Sequence, residues 1–474
     1  MKKNNPLLKR KPGRIFRSWI FVFLTLFLQA FVLTSEAQNY QGTLTKRSRD
    51  AYAYSDTAQR WLDWNILFPE NANDLEKITI MNKLMALIDQ KISDYNRISG
   101  NNFKVDTHTV HCPCDPRLTN LNATPAIGSS GNTIPPPPPG TGGSGDTVSL
   151  NMTMYPDTLI QDGKYVYNII EKKVPLTIVN VDKKKILAVM DTGLDPRLFP
   201  PGFDKLLWTD PKSRITLRNF QFYHNHRPLD YMLDDDAHLH GTAVISVALQ
   251  EFERAPGNPN NPKPMIMVLK VLDERGHGNT FSVSCGLSYA IQKKATLVNA
   301  SLGYYSHGIP DSILLHYVRL CNVAKPASIP ILAAAGNTPG KHDASFLCNP
   351  APSRNKLTKI NTFDPASFSK QFPNVISVTT LQNDSTPCFY QNYSNEYVNV
   401  GVANGSGASC CKFAVPFLPF GYEGSSFATP FISGKMMACL MEGSTLQNCR
   451  EQWSTATPVG TATVTKDGKF VPNP

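Results

Sequence analysis

Ile186-Leu187-Ala188-Val189-Met190, followed at once by Asp191-Thr192-Gly193, is the stretch whose reading decides the fold. An unbroken apolar run lacks the alternation of a half-solvated strand and marks one buried on both faces, as in a parallel sheet. Working outward, Met265 to Leu272, Thr296 to Ala300, Ile329 to Ala335 and Val375 to Thr379 read as further strands. Between them, Thr280 to Lys294 carries Val283, Leu287, Ala290 and Ile291 on one helical face. Strands alternating with helices predict an α/β domain with a mostly parallel central sheet. In such sheets ligands gather beyond the carboxyl ends of the strands, so the polar residues after each run are the candidates for chemistry.

Those ends carry Asp191, Ser301-Leu302-Gly303 and Gly336-Asn337. His240-Gly241-Thr242 opens one apolar helical segment, and Gly424-Ser425-Ser426-Phe427-Ala428-Thr429-Pro430 opens another. Each has a plain structural explanation: a turn at Asp191, a helix-start histidine after Asp234-Asp235-Asp236, a strand cap at Asn337, an N-cap at the serines. Together they supply one candidate for every part that acyl transfer by a serine requires. A hydroxyl is a poor nucleophile at neutral pH, so an imidazole must take its proton. A carboxylate must then hold the imidazole in the right tautomer, and a donor must meet the oxyanion.

Taken in order, these motifs resemble those of the subtilisin-like serine peptidases, the subtilases. Asp191-Thr192-Gly193 is similar to the family's Asp-Ser/Thr-Gly, His240-Gly241-Thr242 to its His-Gly-Thr, and Ala333-Ala334-Ala335-Gly336-Asn337 to its Ala-Ala-Gly-Asn. Gly424 to Pro430 is similar to Gly-Thr/Ser-Ser-Met-Ala-x-Pro, with Phe427 where Met is commonest. The resemblance runs from about residue 175 to the C-terminus and implies a subtilisin-like three-layer fold in residues 151–474. It implies that Ser426 is the nucleophile, His240 its base, Asp191 the orienting acid and Asn337 the oxyanion-hole amide. Ser301, Leu302 and Gly303 would pair with the substrate backbone. The expected partners are polypeptides, and no cofactor is required for the chemistry. Structural calcium is a family expectation, but Glu251 to Pro264 has no ordered carboxylate pattern for it. The Asp191–His240 interval holds Tyr223-His224-Asn225-His226, read as an inserted loop rather than a metal site. The expanded stretch from Asn337 to Pro365-Ala366 corresponds to a region that helps build the family's pocket for the residue before the scissile bond, so specificity does not carry over.

Before this domain the chain changes character. Residues 1–37 combine a basic start with an apolar run from Trp19 to Leu33 and the small-x-small site Ser35-Glu36-Ala37, which predicts a secretory signal cleaved after Ala37. An uncleaved anchor is the alternative; either way the membrane is met only through this segment, and the protein is expected outside the cytoplasm, whether extracellular, periplasmic or at the cell surface. The formal charge of +10 includes seven basic side chains and one acidic side chain in this segment. The roughly +4 left over is too dispersed for a nucleic-acid footprint. Residues 38–110 read as a small helical module and candidate pro-region, with Ile80, Leu84, Leu87, Ile88 and Ile92 on one face and Gly100 as a stop. Lys46-Arg47-Ser48-Arg49 reads as a solvated basic run, with a processing site as the alternative. Residues 111–150, with Pro135 to Pro139 and Gly140 to Gly145, read as a linker.

All ten cysteines follow the signal, which favours disulfides; neither Cys112-Pro113-Cys114 nor Cys410-Cys411 has zinc-knuckle spacing. The expected activity is peptide-bond hydrolysis by a serine endopeptidase. A narrow-specificity processing or maturation protease of the same fold, or a catalytically silent binding protein, are the alternatives.

Overall fold

A computed structural model describes residues 62–125, 148–150, 153–156, 176, 178, 180–211, 217–219, 233–236, 238–255, 262–274, 276–306, 308–337, 355–383, 386–388, 390–404, 412–415, 421–452, 464–466 and 469–472. The expected signal segment, Lys46 to Arg49, Pro135 to Gly145, Tyr223 to His226, Cys348 and Cys410-Cys411 lie outside the described residues. Among the described residues no helix is long and apolar enough to cross a membrane.

The N-terminal module consists of β1 (Asp63–Leu67), α1 (Asp74–Ser99), β2 (Val105–His111), β3 (Leu118–Pro125) and β4 (Val148–Leu150). A reciprocal capping box starts α1: the Asn73 side chain accepts from Glu76 N, and Glu76 accepts from Asn73 N. Gly100, at φ 69°, ends it. Leu84, Ile88 and Ile92 recur every fourth residue and are buried against Trp64, Ile66, Phe103 and Leu121. The module is therefore not simply helical: α1 begins at Asp74 and covers an antiparallel sheet in the order β2-β3-β1-β4. Polar β2, Val-Asp-Thr-His-Thr-Val-His, shows no apolar run, and β3 and β4 lie within the stretch read as linker.

The larger domain comprises β5 (Thr153–Pro156), β6 (Val181–Asp191), β7 (Leu217–Asn219), α2 (His240–Arg254), β8 (Lys263–Lys270), β9 (Gly278–Asn279), α3 (Thr280–Gln292), β10 (Leu297–Ala300) and β11 (Leu302–Tyr305). It continues through α4 (Ser312–Val323), β12 (Ile331–Ala334), β13 (Phe363–Asp364), β14 (Val375–Leu381), β15 (Val400–Ala403), β16 (Lys412–Ala414), β17 (Gly421–Glu423), α5 (Ser425–Met441), α6 (Leu446–Glu451) and β18 (Lys469–Pro472). The central sheet, ordered β18-β15-β14-β12-β10-β6-β8-β7, is parallel at every pairing. Alternation along β6 makes the three layers. Ile186, Ala188 and Met190 face the core shared with α3 and α4, while Leu187 and Val189 face the core shared with α2 and α5. The chain leaves β6 for β8 on one side and then crosses to β10 on the other. The strand order thus reverses between β6 and β10, whose carboxyl ends carry Asp191 and Ser301.

The module docks on α3 and α4 through bonds that are buried and specific. Asn65 Nδ2 donates to Thr280 Oγ1 at 2.9 Å, and Tyr317 Oη donates to Asp115 Oδ2 at 2.8 Å. Burial pushes the Asp115 carboxyl up, but hydrogen bonds from Arg117 and Tyr317 outweigh it and hold the group below its ordinary value. A Cys112–Cys285 disulfide spans 173 residues and joins the module to α3; a second, Cys439–Cys449, closes the end of α5 onto α6. In the chain-entropy account a loop as long as the first stabilises by up to about 5 kcal/mol.

One consequence is testable directly. A single cut between Pro156 and Leu176 should leave both pieces in one covalent molecule, running as one species without reductant and as two with it. In a Cys285→Ser variant the cut pieces should separate on a non-reducing denaturing gel.

Candidate active site

Asp191 is the last residue of β6 and His240 the first of α2; the Asp191 Oδ1 and His240 Nδ1 atoms lie 2.6 Å apart, both residues 1% exposed. Asp191 Oδ1 also accepts from Thr192 N at 2.8 Å. Around this contact, two threonines bind the motifs to each other. Thr192 Oγ1 accepts from Gly241 N at 2.8 Å and donates to Asp234 Oδ1 at 2.8 Å. Thr242 Oγ1 accepts from Asp195 N at 2.8 Å and donates to Asp234 Oδ2 at 2.6 Å. The backbones approach so closely that a Cβ on Gly241 would lie 2.9 Å from Gly193 N, which only glycine avoids.

The helix start is satisfied from upstream. Leu239, in the left-handed region at φ 50°, offers no side-chain cap; instead Asp236 Oδ2 accepts from His240 N at 3.1 Å and His238 N at 3.2 Å. Lys270, fully buried at the end of β8, donates to Thr192 O and pairs with Asp235 at 2.8 Å. The acidic trio before α2, which the sequence offered only as the setting of His240, is thus part of the site.

Burial pushes Asp234 up from its ordinary value, and burial followed by the charge of Asp234 pushes Asp236 up to about 7. For His240, burial pulls the imidazole down, but the Asp191 charge and hydrogen bond, joined by Asp236 and Asp234, outweigh it and leave the pKa raised. A carboxylate on Nδ1 places the acceptor lone pair of the neutral ring on Nε2, which has no hydrogen-bond partner among the described residues.

Ser426 lies in the first turn of α5. Its Oγ donates to Ser301 O at 3.0 Å, and Ser301 Oγ donates to Ser426 O at 2.8 Å, so nucleophile candidate and strand end hold each other. The Phe427 ring stands edge-on to His240 at 5.3 Å between centroids, setting the imidazole beside the serine turn. No hydrogen bond joins Ser426 Oγ to His240 Nε2. Asn337 is bound to the same turn: its Oδ1 accepts from Ser425 N at 3.3 Å and Gln391 Nε2 at 2.8 Å, which fixes the amide end that faces away from them as Nδ2. Ser425 Oγ accepts from Gly336 N at 3.0 Å. Asp191, His240, Asn337 and Ser426 are therefore brought together, with Ser425 and Gln391 as ties that sequence reading had not assigned. Ser425 lies within the serine motif; Gln391 stands in no motif and carries no local signal.

Leu302 and Gly303, expected to receive a substrate backbone, pair antiparallel with Pro156 and Tyr155 of β5. The other edge of β5 pairs with β9, Thr153 with Asn279 and Met154 with Gly278. The edge expected to pair with a substrate is filled by the chain itself.

The carboxylates of the segment Glu251 to Pro264 face basic side chains. Glu251 faces Arg254 at 2.8 Å and Lys435 at 3.4 Å, and Glu253 faces Lys263 at 2.6 Å. Cys112, Cys114 and Cys285 lie within 4.8 Å of one another, but the Cys112–Cys285 bond takes two of the three sulfurs.

Comparison with known proteins gives a match to the Subtilase family, Peptidase_S8, over residues 182–466. Among curated proteins, a thermophilic serine proteinase of Bacillus sp. (strain AK1) is 24% identical over 253 residues, 52% of this chain and 50% of that protein. Halolysin of Haloferax mediterranei is 24% identical over 207 residues, 44% of this chain and 33% of the halolysin. The cell wall-associated protease of Bacillus subtilis (strain 168) is 30% identical over 122 residues, 25% of this chain and 12% of that protein. The chain thus spans half or less of the length of these relatives. A solved structure of the Prenylagaramide maturation protease PagA aligns with 56% of this chain and 79% of its own at 20% identity, with a TM-score of 0.35.

Two measurements check the site. His240 should titrate above the ordinary 6.5 by NMR, and Asp191→Asn should lower its pKa, because burial then acts with the main opposing charge removed. Ser425→Ala strips the buried Gly336 N–H of its acceptor and should cost about 1–3 kcal/mol in denaturant unfolding.

Proposed function

The chain belongs to the subtilase family, and from that premise we propose that it is an exported serine endopeptidase in which Asp191, His240 and Ser426 act as a triad and Asn337 stabilises the oxyanion. The observation that carries this reading is the buried 2.6 Å contact between Asp191 and His240, with its free-facing Nε2 beside the Ser426 turn. In the proposed reaction the Ser426 hydroxyl leaves Ser301 O, gives its proton to His240 Nε2 and attacks the scissile carbonyl. The Asn337 Nδ2 and the Ser426 N–H meet the oxyanion, in a water-poor setting where such dipoles act strongly. His240 then protonates the leaving amine, and water, deprotonated by the same imidazole, releases the acyl group.

The substrate backbone would take the place of β5 between β11 and β9 as an added strand. The intact chain is on this reading latent, because a neighbouring segment of the same molecule competes for that edge at an effective concentration no free peptide reaches. The buried state of Ser426 in the intact chain is in keeping with this.

Ser426→Ala and His240→Ala should each lower kcat on an unfolded protein substrate by several orders of magnitude, and Asn337→Ala by about two to three orders. Wild-type turnover by the Ser426→Ala protein would exclude the assignment, and failure of a fluorophosphonate to label Ser426 once the chain is cut between Pro156 and Leu176 and reduced would favour a silent binding protein. Because His240 must be neutral to accept the proton, kcat/KM should rise with pH through its raised pKa. Cutting the chain between Pro156 and Leu176 and then reducing the Cys112–Cys285 bond should raise activity on peptides; equal activity before and after both steps would remove β5 as a block.

A further inference from the structure

We infer that Phe363 closes the pocket for the side chain on the acyl side of the scissile bond, so that the chain cuts after small residues such as Gly, Ala or Ser. The inference rests on the peptidase reading above and gives it a substrate class. Its geometry comes from the strand pairing in the cleft. Pro156 lies opposite Leu302 and Tyr155 opposite Gly303, so a substrate strand on the same path places its next residue opposite Ser301. That residue is the one beside Ser426, whose Oγ touches Ser301 O at 3.0 Å. Directly paired residues share a face of the sheet, and so do alternate residues along a strand. The side chain of the attacked residue therefore leaves on the face toward which a Cβ of Gly303 would point.

That direction is filled. A Cβ on Gly303 would fall within van der Waals distance of the Phe363 ring, 2.8 Å from its Cζ, and 2.7 Å from Asp364 O. On the far wall, a Cβ on Gly336, next to Asn337, would lie 2.7 Å from Cγ of the same ring. The ring thus occupies the slot between the two backbone segments that flank Ser426, and both glycines are required by its presence. Phe363 is 5% exposed and held on every side. Its N–H donates to Ser367 Oγ at 2.8 Å, and Ser367 Oγ donates back to its carbonyl at 2.9 Å. β13 pairs with β11, placing Phe363 opposite Tyr305. The Tyr305 ring stands edge-on to it at 5.0 Å, with its hydroxyl held by Asn392. So many restraints make the ring a wall and not a flap.

The test uses the chain cut between Pro156 and Leu176 and reduced at Cys112–Cys285, so that β5 can leave the cleft, with two blocked tetrapeptide anilides that differ only in the residue before the cleaved bond, Ala in one and Phe in the other. Active centres are first counted with a fluorophosphonate that carries no acyl-side residue. Absence of labelling in the cut and reduced chain overturns the peptidase reading itself. Per labelled centre, kcat/KM for the Ala peptide should exceed that for the Phe peptide by on the order of tenfold to a hundredfold. Comparable rates, or a preference for Phe, overturn the inference while leaving the peptidase reading intact. Phe363→Ala should reduce or invert the ratio through a gain on the Phe peptide, and Phe363→Leu should fall between. A ratio is insensitive to the fraction of protein folded, so an unchanged ratio in labelled Phe363→Ala protein also overturns it.

Discussion

Asp191 and His240 meet with both side chains out of water, and the surrounding structure can be understood as the means of keeping them there. A carboxylate and an imidazole 2.6 Å apart gain from their attraction only if the remaining polar atoms around them are satisfied; otherwise desolvation dominates. The chain meets much of that condition by bringing the ends of β6 and β8 and the start of α2 into one hydrogen-bonded knot, which leaves Asp191 Oδ2 and His240 Nε2 without a partner among the described residues. Thr192, Thr242, Asp234, Asp236 and Lys270 each tie one motif to another. The parallel sheet is what makes the knot feasible, because it delivers strand ends to one rim, and the reversal of strand order between β6 and β10 leaves a crevice there.

Ser426 and Asn337 join this rim through a second set of contacts, at the opposite wall of the crevice. The serine turn is bound to the end of β10 by the Ser301 pair and to the end of β12 by Ser425, Gly336 and Asn337. Because α5 itself packs across the sheet from the same side as α2, its first turn arrives beside His240 through Phe427. Asp191, His240 and Ser426 are thus placed by element ends, while Asn337 follows the end of β12.

The N-terminal module adds a constraint of a different kind. It lies on α3 and α4, is joined covalently to α3, and is followed by β5 in the cleft. Paired with β11 on one edge and with β9 on the other, β5 joins the N-terminal module to the strands beside Ser301 in one arrangement. Cysteines that follow an apolar leader had suggested cross-links; only the fold shows that one of them bridges the two modules.

Much of the site was legible in the chain. Apolar runs ending in Asp191, in Ser301 and in Gly336-Asn337 pointed to the central strands because burial on both faces demands uninterrupted apolar residues. His240 and Ser426 were legible because reactive groups at helix starts come with the small residues that let backbones approach. The strands of the N-terminal module were not, since β2 exposes its side chains and is stabilised by pairing with β3 rather than by a pattern of its own. Nor were Gln391, the docking of Asn65 on Thr280, the entry of β5 into the cleft, or the ring of Phe363 between Gly303 and Gly336. The sequence by itself determined the family, the α/β layering and the residue types available for acyl transfer, because local periodicity and short motifs encode them. Only the tertiary structure decided which polar groups satisfy those residues and what fills the cleft, because such contacts join positions far apart in the chain and leave no local pattern.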